Sequence, residues 1–185
     1  SAASDVYKRQ IQMSGDSSYV PMNPSESNNF LSKFTWRVSP RIKISTQSIM
    51  SKSQRKSYSH VYKYNPDGIT TGYTENNNHS LQVNHSLSPR TFYEGNIFIS
   101  GTDYKNYLYA DTLDERYVNT DYINTEPTSA TFLFGGTQMG HTYRNSKSIG
   151  GKFDFTTQIS DNHEIKTGFS FRNDNLVERN FQVLY

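Results

Sequence analysis

The stretch KFDFTTQISDNHEIKTGF, residues 152–169, alternates apolar and polar side chains on both sides of a short polar turn. A period of two residues is that of a β-strand whose two faces meet different surroundings. The turn occupies residues 160–163, so the stretch predicts a β-hairpin. The apolar positions of this hairpin and its flanks are Ile149, Phe153, Phe155, Ile159, Ile165, Phe169 and Phe171.

The same unit occurs twice earlier in the chain, each time around a Ser-Pro-Arg turn. These turns lie at residues 39–41 and 88–90, and Leu31 and Ile49 interrupt the alternation around the first of them. Consecutive hairpins joined in this way form antiparallel strands in meander order. The sequence therefore predicts an all-β fold of about six strands.

The connections between the hairpins are much longer than the turns inside them. Residues 54–78 and 102–146 are polar, rich in tyrosine and contain many Asn, Gly and Pro residues. Compact domains usually connect their elements through about 4 to 6 residues, and longer loops often carry function. Outer-membrane barrels combine short periplasmic turns with long extracellular loops. The pattern predicts a partial transmembrane β-barrel, an up-and-down section of a larger barrel, with its long loops on one edge.

Composition excludes several other classes of protein. Only 33% of the 185 residues are hydrophobic, and no run of about 18 apolar residues, which a transmembrane helix would need, is present. The absence of cysteine removes any disulfide framework, and a net charge of +2 is too small to indicate a nucleic-acid partner. The 14 Tyr and 11 Phe suit a barrel whose strands place only alternate residues against lipid.

A soluble β-sandwich is the alternative interpretation of the alternation. A period of two does not tell whether the apolar face meets lipid or a second sheet. Strand length is consistent with a membrane, because a tilted membrane-crossing strand needs about 9 to 11 residues. Segments of that order lie at residues 42–52, 91–101 and 149–159.

Six segments, in order along the chain, resemble barrel segments of TonB-dependent receptors. They are WRVSPRIKIS (36–45), YKYNPDG (62–68), LSPRTFYEGN (87–96), DTLDERYVN (111–119), GGTQMGHTYR (135–144) and KFDFTTQISDNHEIKTGF (152–169). The ordered series carries the resemblance, which runs from about Tyr19 to the end of the chain. The most similar subgroup has an N-terminal carboxypeptidase-regulatory-like domain before its plug.

The resemblance implies a bacterial outer-membrane barrel of about 22 strands with a plugged lumen. It implies import of a nutrient, whether siderophore, cobalamin, saccharide or peptide, powered by the TonB complex through regions absent from this chain. The expected partners are therefore outer-membrane lipid, the TonB complex and the imported nutrient. A passive porin-like barrel and a surface β-sandwich binding module are the alternatives.

Three regions are expected along the chain. Residues 1–10, SAASDVYKRQ, lack the apolar core of a signal peptide and resemble a recurrent artefact of environmental sequence assembly. Residues 11–29 are expected to be a loop or irregular lead-in. Residues 30–185 are expected to be an incomplete barrel segment without the plug domain and the remaining strands.

Five tyrosines in the second long loop are the predicted ligand-binding residues. Tyrosine combines a rigid ring with a hydroxyl group, which suits capture of a ligand outside the cell. The alternative is that these rings pack against neighbouring loops or form the outer aromatic girdle. The five are Tyr104, Tyr107, Tyr109, Tyr117 and Tyr122.

No catalytic residue, metal ligand set or cofactor is predicted. The five histidines lack the spacing of metal ligands on a shared helix, and neither Gly135-Gly136 nor Gly150-Gly151 opens a phosphate-binding loop. Flexibility in a turn explains the first glycine pair, and close packing of strands explains the second. An acidic group in the second long loop either binds a hard cation such as calcium or is simply solvated. That group is Asp111, Asp114, Glu115 and Asp121.

Overall fold

The computed structural model describes residues 19–119, 132–133 and 135–184, which form one antiparallel sheet of six strands. The strands are β1 (Ser25–Ser39), β2 (Ile42–Lys56), β3 (Thr71–Ser88), β4 (Thr91–Tyr107), β5 (Gly140–Ser160) and β6 (His163–Gln182). Neighbours in the sequence are neighbours in the sheet, which confirms the predicted all-β antiparallel meander. The described ranges contain two further elements, single 3-10 turns at His60–Tyr62 and Pro66–Gly68. No helix in the described ranges is long and apolar enough to cross a membrane.

Short turns close each hairpin where the sequence predicts them. Ser39 Oγ accepts hydrogen bonds from the backbone N–H groups of Arg41 and Ile42, both at 3.2 Å. Ser88 Oγ accepts from the Arg90 N–H at 3.2 Å in the second hairpin. These bonds satisfy amide groups that a tight turn leaves without ladder partners. The serine of each Ser-Pro-Arg turn therefore contributes directly to the reversal of the chain.

The strands extend further than the alternation predicts. β1 begins at Ser25, inside the predicted lead-in, and the two long connections shorten to residues 57–70 and 108–139. With 21 residues, β5 is about 70 Å long at about 3.3 Å per residue. The strands therefore continue well past the apolar part of the sheet.

Polar side chains bond across the strands in these unexpected extensions. Asn76 Nδ2 donates to Ser51 Oγ at 3.0 Å, and Thr102 Oγ1 donates to Asn76 Oδ1 at 2.8 Å. The sequence analysis predicted that the asparagines of residues 54–78 belong to a loop, because asparagine usually favours turns. In the sheet the amide of Asn76 instead joins β2, β3 and β4.

The strand register sorts the side chains into an apolar face and a polar face, since directly paired residues share a face. Most large apolar side chains of the hairpins form one apolar band at the short-turn end of the apolar face. The apolar band consists of Phe30, Phe34, Trp36, Ile42, Ile44, Met50, Leu81, Val83, Tyr93, Ile97, Ile99, Ile149, Phe153, Phe155, Phe169 and Phe171.

The two exceptions to the alternation pair with each other. Leu31 and Ile49 are direct partners across β1 and β2, and both lie on the polar face. Phe98 on β4 also lies on that face, opposite Gly150 of β5. The irregular positions are thus a small apolar patch on the polar face and not a shift of register.

Gly150 and Gly151 make room for one aromatic ring on each face. A Cβ atom at Gly150 would lie 2.5 Å from Phe98 Cζ, and one at Gly151 would lie 2.6 Å from Phe171 Cε1. This confirms that the second glycine pair serves close packing of strands. Gly136, in the first pair, has a φ of 89°, a conformation that favours glycine.

Burial is concentrated at the long-connection end of the molecule. Tyr62, Ile69 and Tyr117 are the buried large hydrophobic side chains of the described residues, and His141 is 1% exposed. In contrast, Ile97 in the middle of the apolar band is 55% exposed. Among the described residues no second layer covers that band.

Candidate binding site at the long-connection end

The two long connections bond to each other across the end of the sheet. The Leu133 N–H donates to the Val61 carbonyl at 2.7 Å, and the Gln138 N–H donates to the Gly68 carbonyl at 2.8 Å. Thr70 donates to Gln138 Oε1 twice, from its N–H at 2.8 Å and from its hydroxyl at 3.0 Å. The described residues of 57–70 and 108–139 therefore form one layer, here called the loop layer.

A ring from the second connection holds the first in place. The Phe132 ring packs edge-on against His60 and Tyr64, with centroids 4.9 and 5.3 Å apart. Lys63 Nζ lies 5.5 Å from the centre of the same ring, within reach of a cation–π interaction. Contacts through Phe132 thus join the two connections by side chains as well as by backbone.

A cluster of aromatic side chains surrounds His141 on the apolar face, beyond the apolar band. The His141 ring stacks on Phe181 with centroids 5.1 Å apart and on Tyr107 at 5.8 Å. Tyr107 in turn stacks on Tyr73 at 5.2 Å. Tyr117 approaches from the loop layer and completes the burial of the histidine.

Both ring nitrogens of His141 and the Tyr117 hydroxyl have partners under one assignment of protons. Tyr117 Oη donates to the Tyr109 carbonyl at 2.9 Å and accepts from the Tyr109 N–H at 3.0 Å. It also accepts from His141 Nε2–H at 2.7 Å. Tyr143 Oη then donates to His141 Nδ1 at 3.2 Å. The assignment requires a neutral imidazole.

Burial shifts the titration of both members of this pair in the direction that keeps them neutral. It lowers the pKa of His141 and raises the pKa of the Tyr117 hydroxyl. A low-dielectric environment penalises the charged form of either group. The pair is therefore a structural contact between uncharged groups at neutral pH.

The predicted ligand-binding tyrosines are divided between two environments. Tyr107, Tyr109 and Tyr117 belong to the aromatic cluster, where Arg116 Cζ also lies 4.0 Å from the centre of the Tyr109 ring. Tyr104 lies on the polar face and lines a cavity. Tyr104 and Tyr107 are in β4 and not in a loop. Tyr122 lies outside the described residues.

The cavity lies between the polar face and the loop layer and has a volume of about 510 Å³. Its floor comes from the ends of β2, β3 and β4, and its rim comes from the first connection and Gln138. Among the residues that the structure describes, its lining contains one charged residue, Arg55, and no carboxylate. The polar lining residues are Ser25, Ser53, Ser57, Tyr58, Ser59, Thr70, Thr74, Tyr104, Asn106 and Gln138.

Several polar groups of this cavity are unused. The Arg55 guanidinium makes no ion pair or hydrogen bond with any residue that the structure describes. Gln138 accepts through its oxygen from Thr70, so its amide hydrogens remain available. One step further along the polar face, Ser51, Asn76 and Thr102 bond to one another. The cavity differs from the sheet beside it in offering free donors.

Two of the four residues of the acidic group in the second connection, Asp111 and Asp114, bond within the chain. Arg116 Nε and Nη2 donate to the two oxygens of Asp114 at 2.9 and 2.7 Å, and these bonds lower the pKa of that carboxyl to about 2. Asp111 Oδ1 accepts from the Leu113 N–H at 2.9 Å. Asp121 lies outside the described residues. In the described part of the chain, no three His, Asp or Glu residues come together as metal ligands.

The fold and the cavity define the protein as an open, six-stranded antiparallel sheet with an exposed apolar face and a covered polar end. No protein-family model matches the chain, and no curated protein shows significant similarity to it.

Proposed function

We propose that this chain is part of the wall of a transmembrane β-barrel in the bacterial outer membrane. The observation that carries the proposal is the apolar band, to which all six strands contribute. Large side chains there are solvent-exposed in the isolated sheet, including Phe34 at 64% and Phe169 at 66%. Exposed apolar areas of this extent are rare on soluble monomers and indicate contact with lipid or protein.

The height of the band approaches that of the hydrocarbon layer. Along β2 it runs from Ile42 to Met50, about 26 Å of strand at about 3.3 Å per residue, or about 20 Å along the membrane normal at a tilt of about 40°. Lipid-facing bands of outer-membrane barrels are about 25 Å tall across strands tilted by about 35–45°. Immediately beyond Met50 the same face becomes charged, where Lys52 Nζ pairs with Glu75 Oε1 at 3.1 Å. A lipid boundary at this level leaves both charges in the aqueous or headgroup region.

The open edges of the sheet fit a section of a larger barrel. The outer edges of β1 and β6 pair with no strand among the described residues. Unpaired edges of this length expose backbone donors and acceptors, and closure into a barrel removes them. The long connections then face the cell exterior and the short turns face the periplasm, as in known outer-membrane barrels.

Within that class we assign the chain to a TonB-dependent receptor that imports a nutrient. The ordered series of sequence segments similar to such receptors supports this assignment. Energised import and passive diffusion differ in one measurable respect, which is their dependence on the inner-membrane proton gradient. Uptake by cells carrying the complete receptor should stop when a protonophore is added. Uptake that continues unchanged would indicate a porin-like barrel instead.

The membrane assignment is tested by placing arginine on each face. Ile97→Arg sits in the middle of the apolar band and should cost about 2–4 kcal/mol of folding free energy near the bilayer midplane. Gln82→Arg is the matched control on the polar face, because Gln82 already bonds to Glu94 at 2.7 Å and an arginine can pair with the same carboxylate. Folding into lipid vesicles, followed by heat-modifiable gel mobility, measures both. Equal folding of the two variants would refute the lipid assignment.

A further inference from the structure

We infer that the cavity on the polar face binds a small polyhydroxylated solute that carries one carboxylate, with Arg55 as the residue that recognises the charge. The inference stands on the cavity itself and needs neither energised transport nor a closed barrel. It can therefore fail while the proposed function holds, and the reverse is also true.

The charge of the lining selects the charge of the ligand. Arg55 is the single charged lining residue, and its guanidinium has no partner among the described residues. Arg144, which pairs with Tyr104 on the same face, is already neutralised, since its Nε donates to Glu178 Oε2 at 2.8 Å. A free guanidinium presents a planar fork that matches a carboxylate with two parallel hydrogen bonds.

The remaining lining selects for hydroxyl groups. Serine and threonine hydroxyls can donate and accept, and the free amide hydrogens of Gln138 can only donate. The Asn106 side chain also opens into this space without a partner among the described residues. A solute with several hydroxyl groups can bond to such a lining in many combinations, whereas an apolar solute would leave these donors unpaired at a cost.

Size and position are consistent with a small solute. A volume of about 510 Å³ falls within the range of about 300–1,000 Å³ that is usual for ligand sites. The Tyr104 ring forms part of the wall and lies against Gly72, where a Cβ atom would be 3.5 Å from Tyr104 Oη.

Glucuronate and glucose are the probes, because they differ in a single carboxylate. Binding of each to the full chain, folded in detergent micelles, is measured by isothermal titration calorimetry. We expect glucuronate to bind about two- to fivefold more tightly than glucose, the effect of one charge pair at a solvent-exposed guanidinium. Arg55→Gln should remove this preference, and Arg55→Lys, which keeps the charge without the fork, should retain part of it.

Arg37→Gln is the matched control. Arg37 is also an exposed arginine on the polar face without a partner among the described residues, but it lies at the short-turn end. Its loss should leave glucuronate binding unchanged. Gel mobility verifies that each variant folds. In place of a variant that does not fold, the parent chain is treated with phenylglyoxal, which modifies accessible arginines, and peptide mass spectrometry measures whether glucuronate protects Arg55 while Arg37 stays reactive.

Four results would overturn the inference. They are no binding of either sugar, equal binding of both, an equal effect of Arg37→Gln and Arg55→Gln, and competition by inorganic phosphate as strong as that by glucuronate. The last result would show that the cavity recognises the negative charge of a ligand but not its hydroxyl groups.

Discussion

Tyr117 Oη lies 2.7 Å from His141 Nε2, although the two residues are 24 positions apart in the sequence. The bond joins the second long connection to the second residue of β5, and both side chains are buried. Three of the four hydrogen bonds around this pair involve the same tyrosine hydroxyl. One oxygen atom therefore holds the second connection against the apolar face of the sheet.

Removal of that oxygen should loosen the second connection. Tyr117→Phe leaves His141 Nε2 and both backbone groups of Tyr109 without their partner, a loss of about 1–3 kcal/mol in local stability. Hydrogen exchange of residues 109–119 should accelerate accordingly. Tyr104→Phe is the control, because the Tyr104 hydroxyl bonds to no residue that the structure describes. Equal acceleration in both variants would contradict this role of Tyr117.

Acidification should loosen the same connection. Burial lowers the pKa of His141 in the folded chain. In the unfolded chain the histidine has its ordinary pKa of about 6.5, so the unfolded chain protonates the imidazole more readily than the folded chain does. The stability is therefore complete above that value and falls as the pH drops below it. Proteolysis within residues 108–119 should be faster at pH 5 than at pH 7.5.

Two histidine variants separate this effect from general acid sensitivity. His141→Gln should remove most of the pH dependence, since the tyrosines that remain in the cluster titrate near about pH 10 and not between pH 5 and 7.5. His163→Gln changes an exposed histidine at the start of β6, beside the third short turn, and should leave the pH dependence intact. A pH response that survives His141→Gln would assign it to another group.

The aromatic rings over the paired glycines predict a sharp difference between two alanine substitutions. Gly150→Ala places a Cβ atom 2.5 Å from Phe98 Cζ and 2.8 Å from the Phe171 carbonyl oxygen, which should cost about 1–3 kcal/mol of unfolding free energy. Gly95→Ala meets nothing within 4 Å and should be neutral or stabilising. Urea unfolding in micelles measures both. Similar values would mean that the Phe98 ring moves aside freely.

The orientation proposed for the membrane predicts which sites are reached from outside the cell. A cysteine in place of Asp67, whose side chain is 87% exposed, should react with an impermeant thiol reagent on intact cells that produce the complete receptor. Leu113→Cys, in the other long connection and 79% exposed, should react as well. Asn162→Cys, in a short turn, should react only after the outer membrane is opened. The reverse pattern would invert the proposed orientation.

The hairpins were predictable because their information is local. Alternation at Phe153 and Phe155, together with the polar turn after Ser160, depends only on the period of the backbone and on residues a few positions apart. The same rule placed Ile97 on the apolar face correctly. The rule missed the ends of the strands, since Asn76 and its neighbours look like loop residues until strands on both sides bond to their side chains.

The candidate site was less predictable, because its environment comes from distant parts of the chain. Density of tyrosine led to the prediction of a ligand-binding region around residues 104–122, but whether Tyr104 and Tyr107 share a face depends on whether they lie in a loop or in a strand. In β4, positions three apart point to opposite faces, so one tyrosine lines the cavity and the other packs in the cluster. No short-range sequence pattern indicated that Arg55 lines the cavity.

The sequence by itself determined the all-β class, the six strands, the three short turns and the apolar face, since each follows from a repeat of two residues or from the chemistry of a turn. Only the tertiary structure decided the burial of His141 and the free donors of the cavity. Burial of His141 requires Tyr117 and Phe181, which meet it through a connection and through a neighbouring strand. Pairing of strands and docking of loops bring such residues together over long separations, and no short-range pattern encodes a contact of that kind.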